Sequence, residues 1–297
     1  MRNDLTKKLY PYYFIAPVVL FFILFMAYPI IETLVVSFFD WQGINKPPFE
    51  SFIGLLNYKE LWTDRIFLLS LRNTAFFVIG TVVIQNLYAY FLALLVYFGK
   101  FKFSTLIRAI IFFPTLLAVV IVGLIWRQML TIDGLANFIL NSLGIDSVAF
   151  LANWKISLWV MIFVSAWQWG GYYMVIFYAG LQSVDPQLIE AAKLDGAGLM
   201  TTITRIVTPN IRASIIIAVT LAALGGFRVF DIVYIMTFGG PARSTYVFSM
   251  YIYYLTFGHY GTAMYSYASS IVTFFFFVIV LVTSIRIRDI GRRGLKE

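Results

Sequence analysis

Few side chains in this chain could do chemistry, and most that could are polar groups inside long apolar segments. Hydrophobic residues make up 61% of the 297 residues and charged residues only 12%. Cysteine is absent, and the single histidine, His259, cannot by itself form a zinc site or a catalytic dyad. There is also no phosphate-binding loop, no His-Glu-x-x-His sequence and no serine elbow. The sequence therefore predicts neither an enzyme nor an ATP, cofactor or metal site.

Four polar residues inside apolar segments are the first candidates for binding. Arg228 and Asp231 are three apart, so on one continuous helix they could pair along one face. A charge in lipid is expensive and usually functional, which favours a pocket or gate, but a self-neutralising structural pair fits equally well. Gln85 and Asn86 could bind a substrate, or could join two helices by hydrogen bonds.

An aromatic cluster supplies the other binding candidates. Residues 167–173 read Trp-Gln-Trp-Gly-Gly-Tyr-Tyr near the middle of an apolar segment, whereas Trp and Tyr normally gather at membrane interfaces. Trp169, Tyr172 and Tyr173 would share one helix face, and the two glycines would allow a neighbour or ligand to approach closely. Rings beside hydroxyl and amide groups suit a sugar. Helix packing is the alternative interpretation, for these residues and for Trp167.

Six apolar segments are long enough to place these residues on membrane-spanning helices, because a span needs about 20 residues. We predict an all-α integral membrane protein with a single transmembrane domain over residues 1–297. Pro17, Pro29 and Pro114 lie inside predicted spans and favour kinks, either as static bends or as hinges. The predicted spans are 13–38, 71–98, 107–130, 155–181, 212–237 and 264–286.

The distribution of charge predicts the topology. With the N-terminus inside, the inner segments hold fourteen of the 22 basic residues and six of the 14 acidic ones, so they carry the whole net charge of +8. The remaining eight basic and eight acidic residues cancel. This is the positive-inside pattern, which places both termini in the cytoplasm. The basic balance therefore reflects contact with membrane lipid and topology, and we expect no nucleic-acid partner.

A polar segment, residues 182–211, separates the fourth and fifth predicted spans on the cytoplasmic side. Asp185 can cap a helix whose first turn is fixed by Pro186, and Gly196 is placed to end it. A second apolar pattern, stopped by a proline, predicts another short helix. We therefore predict a docking element for a partner outside the membrane. The second pattern consists of Leu199, Ile203, Ile206 and Pro209.

The spacing in this segment resembles the EAA loop of permease subunits in bacterial ABC importers. Glu190-Ala191-Ala192 is followed by three residues, Gly196, nine residues and Ile206-x-x-Pro209. The resemblance implies a type I ABC importer transmembrane domain, with a family core over about 70–290, whose coupling helices sit in a cleft of the ATPase. Glu190 would contact that ATPase, the alanines would allow close packing and Gly196 would make the turn. Thr208 stands where the family usually has leucine. The coupling residues carried over are Glu190, Ala191, Ala192, Asp195, Gly196, Ala197, Ile206 and Pro209.

Residues 230–241, Phe-Asp-Ile-Val-Tyr-Ile-Met-Thr-Phe-Gly-Gly-Pro, resemble the fifth-span signature of carbohydrate permeases. That resemblance implies a second, different permease, two ATP-binding cassette subunits that hold ATP and Mg, and an extracytoplasmic solute-binding protein. The substrate would be a di- or oligosaccharide, or glycerol-3-phosphate. The predicted substrate path consists of Trp167, Trp169, Tyr172, Tyr173, Arg228, Asp231, Tyr234, Gln85 and Asn86.

The mechanism that the resemblance implies is alternating access in the bacterial inner membrane, driven by rigid-body motion of the spans. An ion-coupled secondary transporter is the main alternative, and it would be expected to show inverted repeats and an intramembrane ion site, neither of which is clear in the sequence. A membrane enzyme is disfavoured by the missing acid–base pairs. Within the family, an importer of an amino acid, a metal, phosphate or another small solute is a further alternative.

Overall fold

The computed structural model describes residues 2–42, 49–99, 101–258 and 264–293, and His259 lies outside them. Within these residues the regular structure is helical, apart from one isolated bridge between Phe39 and Phe52. The helices are α1 (Arg2–Phe22, a π-helical turn Ile23–Ala27, and Tyr28–Val36), α2 (Leu56–Leu61), α3 (Arg65–Gly80, a π-helical turn Thr81–Gln85, and Asn86–Phe98), α4 (Ser104–Leu116), α5 (Val119–Met129), α6 (Leu135–Ser142), α7 (Ser157–Gln182), α8 (Pro186–Leu194), α9 (Leu199–Thr202, a π-helical turn Ile203–Val207, and Thr208–Asn210), α10 (Arg212–Phe227), α11 (Asp231–Thr237), α12 (Phe248–Phe257) and α13 (Tyr265–Arg293).

Among the described residues, three helices are long and apolar enough to cross a membrane alone: Tyr12–Val36 of α1, α3 and α7. Two more spans arise if each bent pair, α4 with α5 and α9 with α10, counts as one. In α13 the apolar stretch is shorter, Tyr265–Leu281. The prediction of an all-α integral membrane protein is confirmed, whereas the count of six spans stays a prediction.

The third predicted span, 107–130, is wrong as one continuous helix. Its two halves, α4 and α5, meet at 93°, with Leu117 and Ala118 in an extended conformation between them. Pro114 lies three residues before the break and removes one helical hydrogen bond. The side-chain amide of Gln168 on α7 donates to the Leu117 carbonyl at 3.1 Å. A protein group therefore satisfies backbone that lipid could not.

The fifth predicted span, 212–237, is also broken. Helix α10 ends at Phe227 and α11 begins at Asp231, and Phe230 between them leaves helical geometry with φ −142° and ψ −61°. Arg228 and Asp231 therefore do not lie on one helix, and the prediction that they pair along one helix face is wrong. Hydropathy does not reveal the break because apolar residues continue on both sides of it.

Two of the prolines lie beside π-helical turns. Pro29 and Pro209 each come two residues after such a turn, Ile23–Ala27 and Ile203–Val207. A proline has no N–H, and its ring clashes with the carbonyl four residues back. The extra residue of the π turn relieves this clash, because the N–H just before each proline bonds to the carbonyl five residues back. Helix α1 continues through Pro17 without interruption.

The chain separates into two compact units, of which the first comprises residues 1–68 and 252–282. Buried or partly buried polar side chains fix its connections. Asn57 donates to the carbonyls of Ser37 at 2.9 Å and Phe39 at 3.0 Å. These bonds hold the segment that follows α1, where backbone groups would otherwise lack partners.

The second unit comprises residues 69–251 and 283–297 and contains the predicted site residues. Its core combines small side chains on α3 and α10 with larger ones on α7, and small residues let membrane helices approach closely. The core continues into α8 and α9, so segment 182–211 is anchored in the helices. A single domain over residues 1–297 stays a prediction. The core consists of Ala89, Ala93, Tyr173, Met174, Phe177, Leu181, Val184, Ile189, Val207, Ile211, Ala218 and Ala222.

Candidate functional site

The second unit encloses a cavity of about 420 Å³, bounded by α3, α5, α7, α10 and the start of α11. Small-molecule sites typically occupy roughly 300–1,000 Å³, so the space is large enough for a ligand. Most of the predicted substrate-path residues meet here, although they come from three separate parts of the chain. Those that line the cavity are Gln85, Trp169, Tyr172, Tyr173, Arg228 and Asp231.

Aromatic rings of α7 form one wall of the cavity. Trp169 and Tyr172 keep 38% and 39% of their surface exposed, and their rings meet edge to face at 6.4 Å between centroids. Tyr173 is almost fully buried, and it lines the cavity together with the Gln85 side chain of α3. The wall therefore offers accessible apolar ring faces next to hydroxyl and amide groups.

Three predicted path residues lie outside this cavity. The Trp167 ring packs against Trp126 with centroids 5.5 Å apart, which is the helix-packing role. Tyr234 on α11 stacks on Phe230 at 5.3 Å. Asn86 donates from Nδ2 to the Val82 carbonyl of its own helix at 2.7 Å.

The two glycines of α7 make room for neighbouring helices. A Cβ at Gly170 would collide with the Tyr88 ring of α3, and one at Gly171 would collide with the Ile111 carbonyl of α4. Close approach by a neighbour is therefore the role of these glycines, while the rings beside them face the cavity.

The break between α10 and α11 brings charge to the cavity. Arg228 caps the C-terminal end of α10, and Asp231 is the first residue of α11. A cation at a helix C-terminus and an anion at an N-terminus are both favoured by the helix dipole. Both side chains are exposed and line the cavity, so each is available to a polar ligand.

Sequence reasoning missed several other lining groups. Thr81, Ser165 and Gln168 add polar atoms to the wall. Gly226 packs tightly on α3, where a Cβ would lie 3.0 Å from Thr81 Oγ1, whereas a Cβ at Gly225 would meet nothing within 4 Å. The adjacent Gly225 and Gly226 are a sequence signal that could have indicated this close approach, but the π turn that presents Thr81 and Gln85 carries no sequence signature.

The first helix of segment 182–211 forms as predicted. The Asp185 carboxylate accepts from the Gln187 N–H at 2.9 Å, with Pro186 in the first turn. At the other end Gly196 has φ +78°, its N–H bonds to Lys193, and the next N–H bonds to the Ala192 carbonyl at 2.9 Å. This is the Schellman arrangement, in which glycine supplies the left-handed residue that closes the helix.

The same helix presents two different faces. Glu190, Ala191 and Asp195 are exposed, whereas Ala192 is only 6% exposed and packs within this chain, as does Ile189. The outward surface also carries exposed apolar side chains that a loop in water would not normally display together. These are Leu188, Leu194, Leu199 and Met200, with 45%, 89%, 60% and 71% of their surfaces exposed.

The second predicted helix, α9, forms, but its most buried side chains are not those of its apolar pattern. Thr202 and Val207 are buried, whereas Ile203 and Ile206 are half-buried and Leu199 is exposed. The π turn adds one residue between Thr202 and Val207, and this rotates the packing face. The remaining predicted coupling residues are Ala197 and Ile206, which are half-buried, and Pro209, which is exposed.

Apolar helices of membrane length, broken around a polar-lined cavity and joined to a structured polar segment, define a membrane transport protein. Residues 85–293 match the family described as binding-protein-dependent transport system inner membrane component. The chain belongs to this family. The prediction of an importer permease is thereby confirmed, and the chain is an inner-membrane transport component, not an enzyme.

Two relatives and one solved structure show the extent of the similarity. The chain is 32% identical to the lactose transport system permease protein LacF of Rhizobium radiobacter, over 92% of this chain and 89% of that protein. It is 34% identical to the arabinooligosaccharides transport system permease protein AraP of Bacillus subtilis, over 78% and 73% of the two chains. A chain of a bacterial alginate ABC transporter, crystallised with an alginate pentasaccharide-bound periplasmic protein, shares the fold, with a TM-score of 0.82 at 22% identity, over 96% and 95%.

Proposed function

We propose that this chain is a permease subunit of an ATP-driven sugar importer and that the 420 Å³ cavity lies on the sugar's path. The observation that carries the proposal is the joining of accessible Trp169 and Tyr172 rings with Gln85, Arg228 and Asp231 around one space. A sugar has apolar C–H faces and hydroxyl edges, so it needs both kinds of group at once.

Each part of the wall has a task in this proposal. The ring faces of Trp169 and Tyr172 stack on the apolar side of a sugar ring. Asp231 accepts hydrogen bonds from sugar hydroxyls and Arg228 donates to their oxygens, while Gln85 can do both. Because each hydroxyl contact replaces a bond to water, such a site binds moderately and releases its cargo readily.

Two relatives support a saccharide as the cargo, since the proteins similar to this chain are described as permeases for lactose and for arabinooligosaccharides. A di- or oligosaccharide is therefore the substrate class that we favour over glycerol-3-phosphate or another small solute.

Segment 182–211 is proposed to dock on a separate ATPase subunit. Its exposed Leu194 and Met200, beside the charged Glu190, form a surface that a partner would cover. We propose that the assembly contains a second permease, two ATPase copies that bind ATP and Mg, and an extracytoplasmic binding protein. This segment and both termini would face the cytoplasm.

The test compares two tryptophans of α7 in the assembled importer. Trp169→Ala removes a ring that faces the cavity, whereas Trp167→Ala removes one that packs on Trp126. We expect Trp169→Ala to lower sugar uptake at unchanged complex yield, and Trp167→Ala to lower yield and uptake together. Parallel losses of yield and uptake in Trp169→Ala would assign that ring to packing and contradict the proposal.

A second experiment separates this function from an ion-coupled transporter. Uptake into vesicles is measured with an uncoupler present and ATP held constant, together with a panel of competing sugars and glycerol-3-phosphate. Uptake that continues in the presence of the uncoupler and is inhibited by a competing saccharide supports the proposal. Loss of uptake when the uncoupler is added would overturn it.

A further inference from the structure

Thr208 makes two side-chain hydrogen bonds. It stands where the permeases that this chain resembles usually have leucine. Its Oγ1 donates to the Ile203 carbonyl at 2.8 Å and lies 2.7 Å from the Tyr90 hydroxyl. A threonine hydroxyl has one proton, and the carbonyl can only accept. The Tyr90 hydroxyl is therefore the donor of the second bond, and the two bonds form a directed chain from α3 into α9.

Tyr90 is firmly placed on α3. Its ring packs against Phe177 of α7 with centroids 5.4 Å apart, and its neighbour Ala89 is fully buried in the core. Thr208 follows Val207, which belongs to the same core. Both partners of the bond are therefore half-buried and backed by packed residues, so the bond is less screened by water than one on the surface.

This bond joins two places that the chain connects only indirectly. Along the backbone, α9 leads into α10 through a bend of 75°. Through Tyr90 it reaches α3 directly, five residues beyond Gln85, which is about 7.5 Å along a helix. Gln85 ends the π turn and, with Thr81 at its start, lines the cavity.

We infer that Tyr90 and Thr208 are a positioning pair that ties segment 182–211 to α3, so that displacement of this segment moves the Thr81–Gln85 wall of the cavity. The inference rests on the proposed function, since it assigns a mechanical route between the ATPase-docking segment and the sugar path. Helix α3 is suited to this task, because Asn86–Phe98 is uninterrupted α-helix while the π turn before it provides a place where the helix can yield.

The alternative is that the bond stabilises the fold and has no part in coupling. Variants that remove this bond can distinguish the two roles. Tyr90→Phe keeps the ring against Phe177 and removes only the donor, whereas Thr208→Val keeps the shape and removes both the acceptor for Tyr90 and the donor to Ile203. Replacing both partners by apolar groups is usually less costly than leaving one of them unpaired. Tyr97→Phe is a matched control on α3, since the Tyr97 ring packs on Phe98 and Tyr178.

The experiment measures sugar transported per ATP hydrolysed, and the melting temperature, for the assembled importer carrying each variant. We expect Tyr90→Phe and Thr208→Val each to lower the transport ratio roughly two- to tenfold, the range of one hydrogen bond, with only a small fall in melting temperature. The double variant should lose no more than either single one, and Tyr97→Phe should behave as wild type. Additive losses, or a ratio unchanged in Tyr90→Phe, would overturn the inference.

A second measurement does not depend on the sugar. Hydrogen exchange at residues 81–86 is compared with and without the ATPase, in wild type and in Tyr90→Phe. We expect ATPase docking to change exchange there in wild type only. If the importer transported none of the sugars, the proposed function would be refuted, but the exchange comparison would still test the role of Tyr90 and Thr208. Equal changes in exchange in wild type and in Tyr90→Phe would refute that role.

Discussion

Two π-helical turns in the second unit have different causes. The turn Ile203–Val207 comes just before Pro209, whose missing N–H and bulky ring exclude an ordinary α-turn there. The turn Thr81–Gln85 has no proline near it and lines the cavity. One turn is forced by the backbone chemistry of a single residue, and the other is held by side chains and faces the site.

The side chains at the second turn are well suited to hold it. The single hydroxyl proton of Thr81 is shared between the Phe77 and Val78 carbonyls, at 2.9 and 3.0 Å, and Asn86 Nδ2 donates to the Val82 carbonyl at 2.7 Å. The Val82 carbonyl, which lies inside the π turn, thus receives a side-chain donor, and such donors help to satisfy backbone inside a membrane. A π turn without a local proline is therefore a sign of function, because other residues must maintain it.

Deleting one residue from the proline-linked turn should have the largest effect. Without Thr204, α9 would close as an ordinary α-helix, and Pro209 would meet the carbonyl that the π turn now avoids. We expect a loss of about 3 kcal/mol in stability and a sharp fall in the yield of assembled importer. Adding Pro209→Ala to the deletion should restore much of that yield. Failure of this rescue would remove proline as the cause of the turn.

Deletion of Val83 from the cavity turn should leave the fold intact and remove transport. The flanking parts of α3 can rejoin as continuous helix, since a π turn is one added residue and no proline stands in the way. Thr81 and Gln85 would then be three residues apart instead of four, and the cavity wall would change shape. We expect uptake to fall at least about tenfold at normal complex yield. If the yield of assembled importer fell as much as we expect for the Thr204 deletion, both turns would be required for folding, and the proposed difference between them would be wrong.

The glycines beside the cavity turn allow a smaller, paired test. Gly226→Ala places a Cβ 3.0 Å from Thr81 Oγ1 and 3.1 Å from the Val78 Cα, so we expect a loss of about 1–3 kcal/mol from overpacking. Gly225→Ala meets nothing within 4 Å and should keep stability while narrowing the cavity. Thermal denaturation of both variants measures the difference, and equal melting temperatures would show that α10 does not press on the turn.

The smallest effect is expected at Asn86. Its Oδ1 is buried and finds no hydrogen-bond partner among the described residues, while its Nδ2 bonds to the Val82 carbonyl. Asn86→Leu removes one hydrogen bond, which lowers stability, and one buried unsatisfied oxygen, which raises it. We expect the two effects on the free energy of unfolding to cancel to within about 1 kcal/mol. A much larger loss of stability in the assembled importer would indicate that Oδ1 finds a partner there.

Local signals were enough to predict the first helix of segment 182–211. A cap at Asp185, a proline in the first turn and the left-handed Gly196 each act within a few residues, and each takes the predicted role. The aromatic face of Trp169, Tyr172 and Tyr173 also followed from helical spacing alone, since α7 is unbroken and lies within about two residues of its predicted bounds.

The breaks and π turns did not follow, because their causes lie elsewhere in the chain. The 93° bend involves Gln168, more than fifty positions away in sequence, and the break at Arg228 has apolar residues on both sides of it. Hydropathy measures whether a segment favours lipid, and it carries no information about backbone direction. The helix-face assignment of Arg228 and Asp231 failed for that reason, although both reach the cavity.

A π turn also affects how the chain should be compared with its relatives. Such a turn is one inserted residue, and it rotates everything after it by about 100° relative to an uninterrupted helix. A relative that lacks the turn at Thr81–Gln85 would need a one-residue gap there, or its later positions in this helix would be matched to residues on the wrong face. The same holds at Ile203–Val207. Residue roles read across an ungapped alignment of either helix would then be assigned one position out of place.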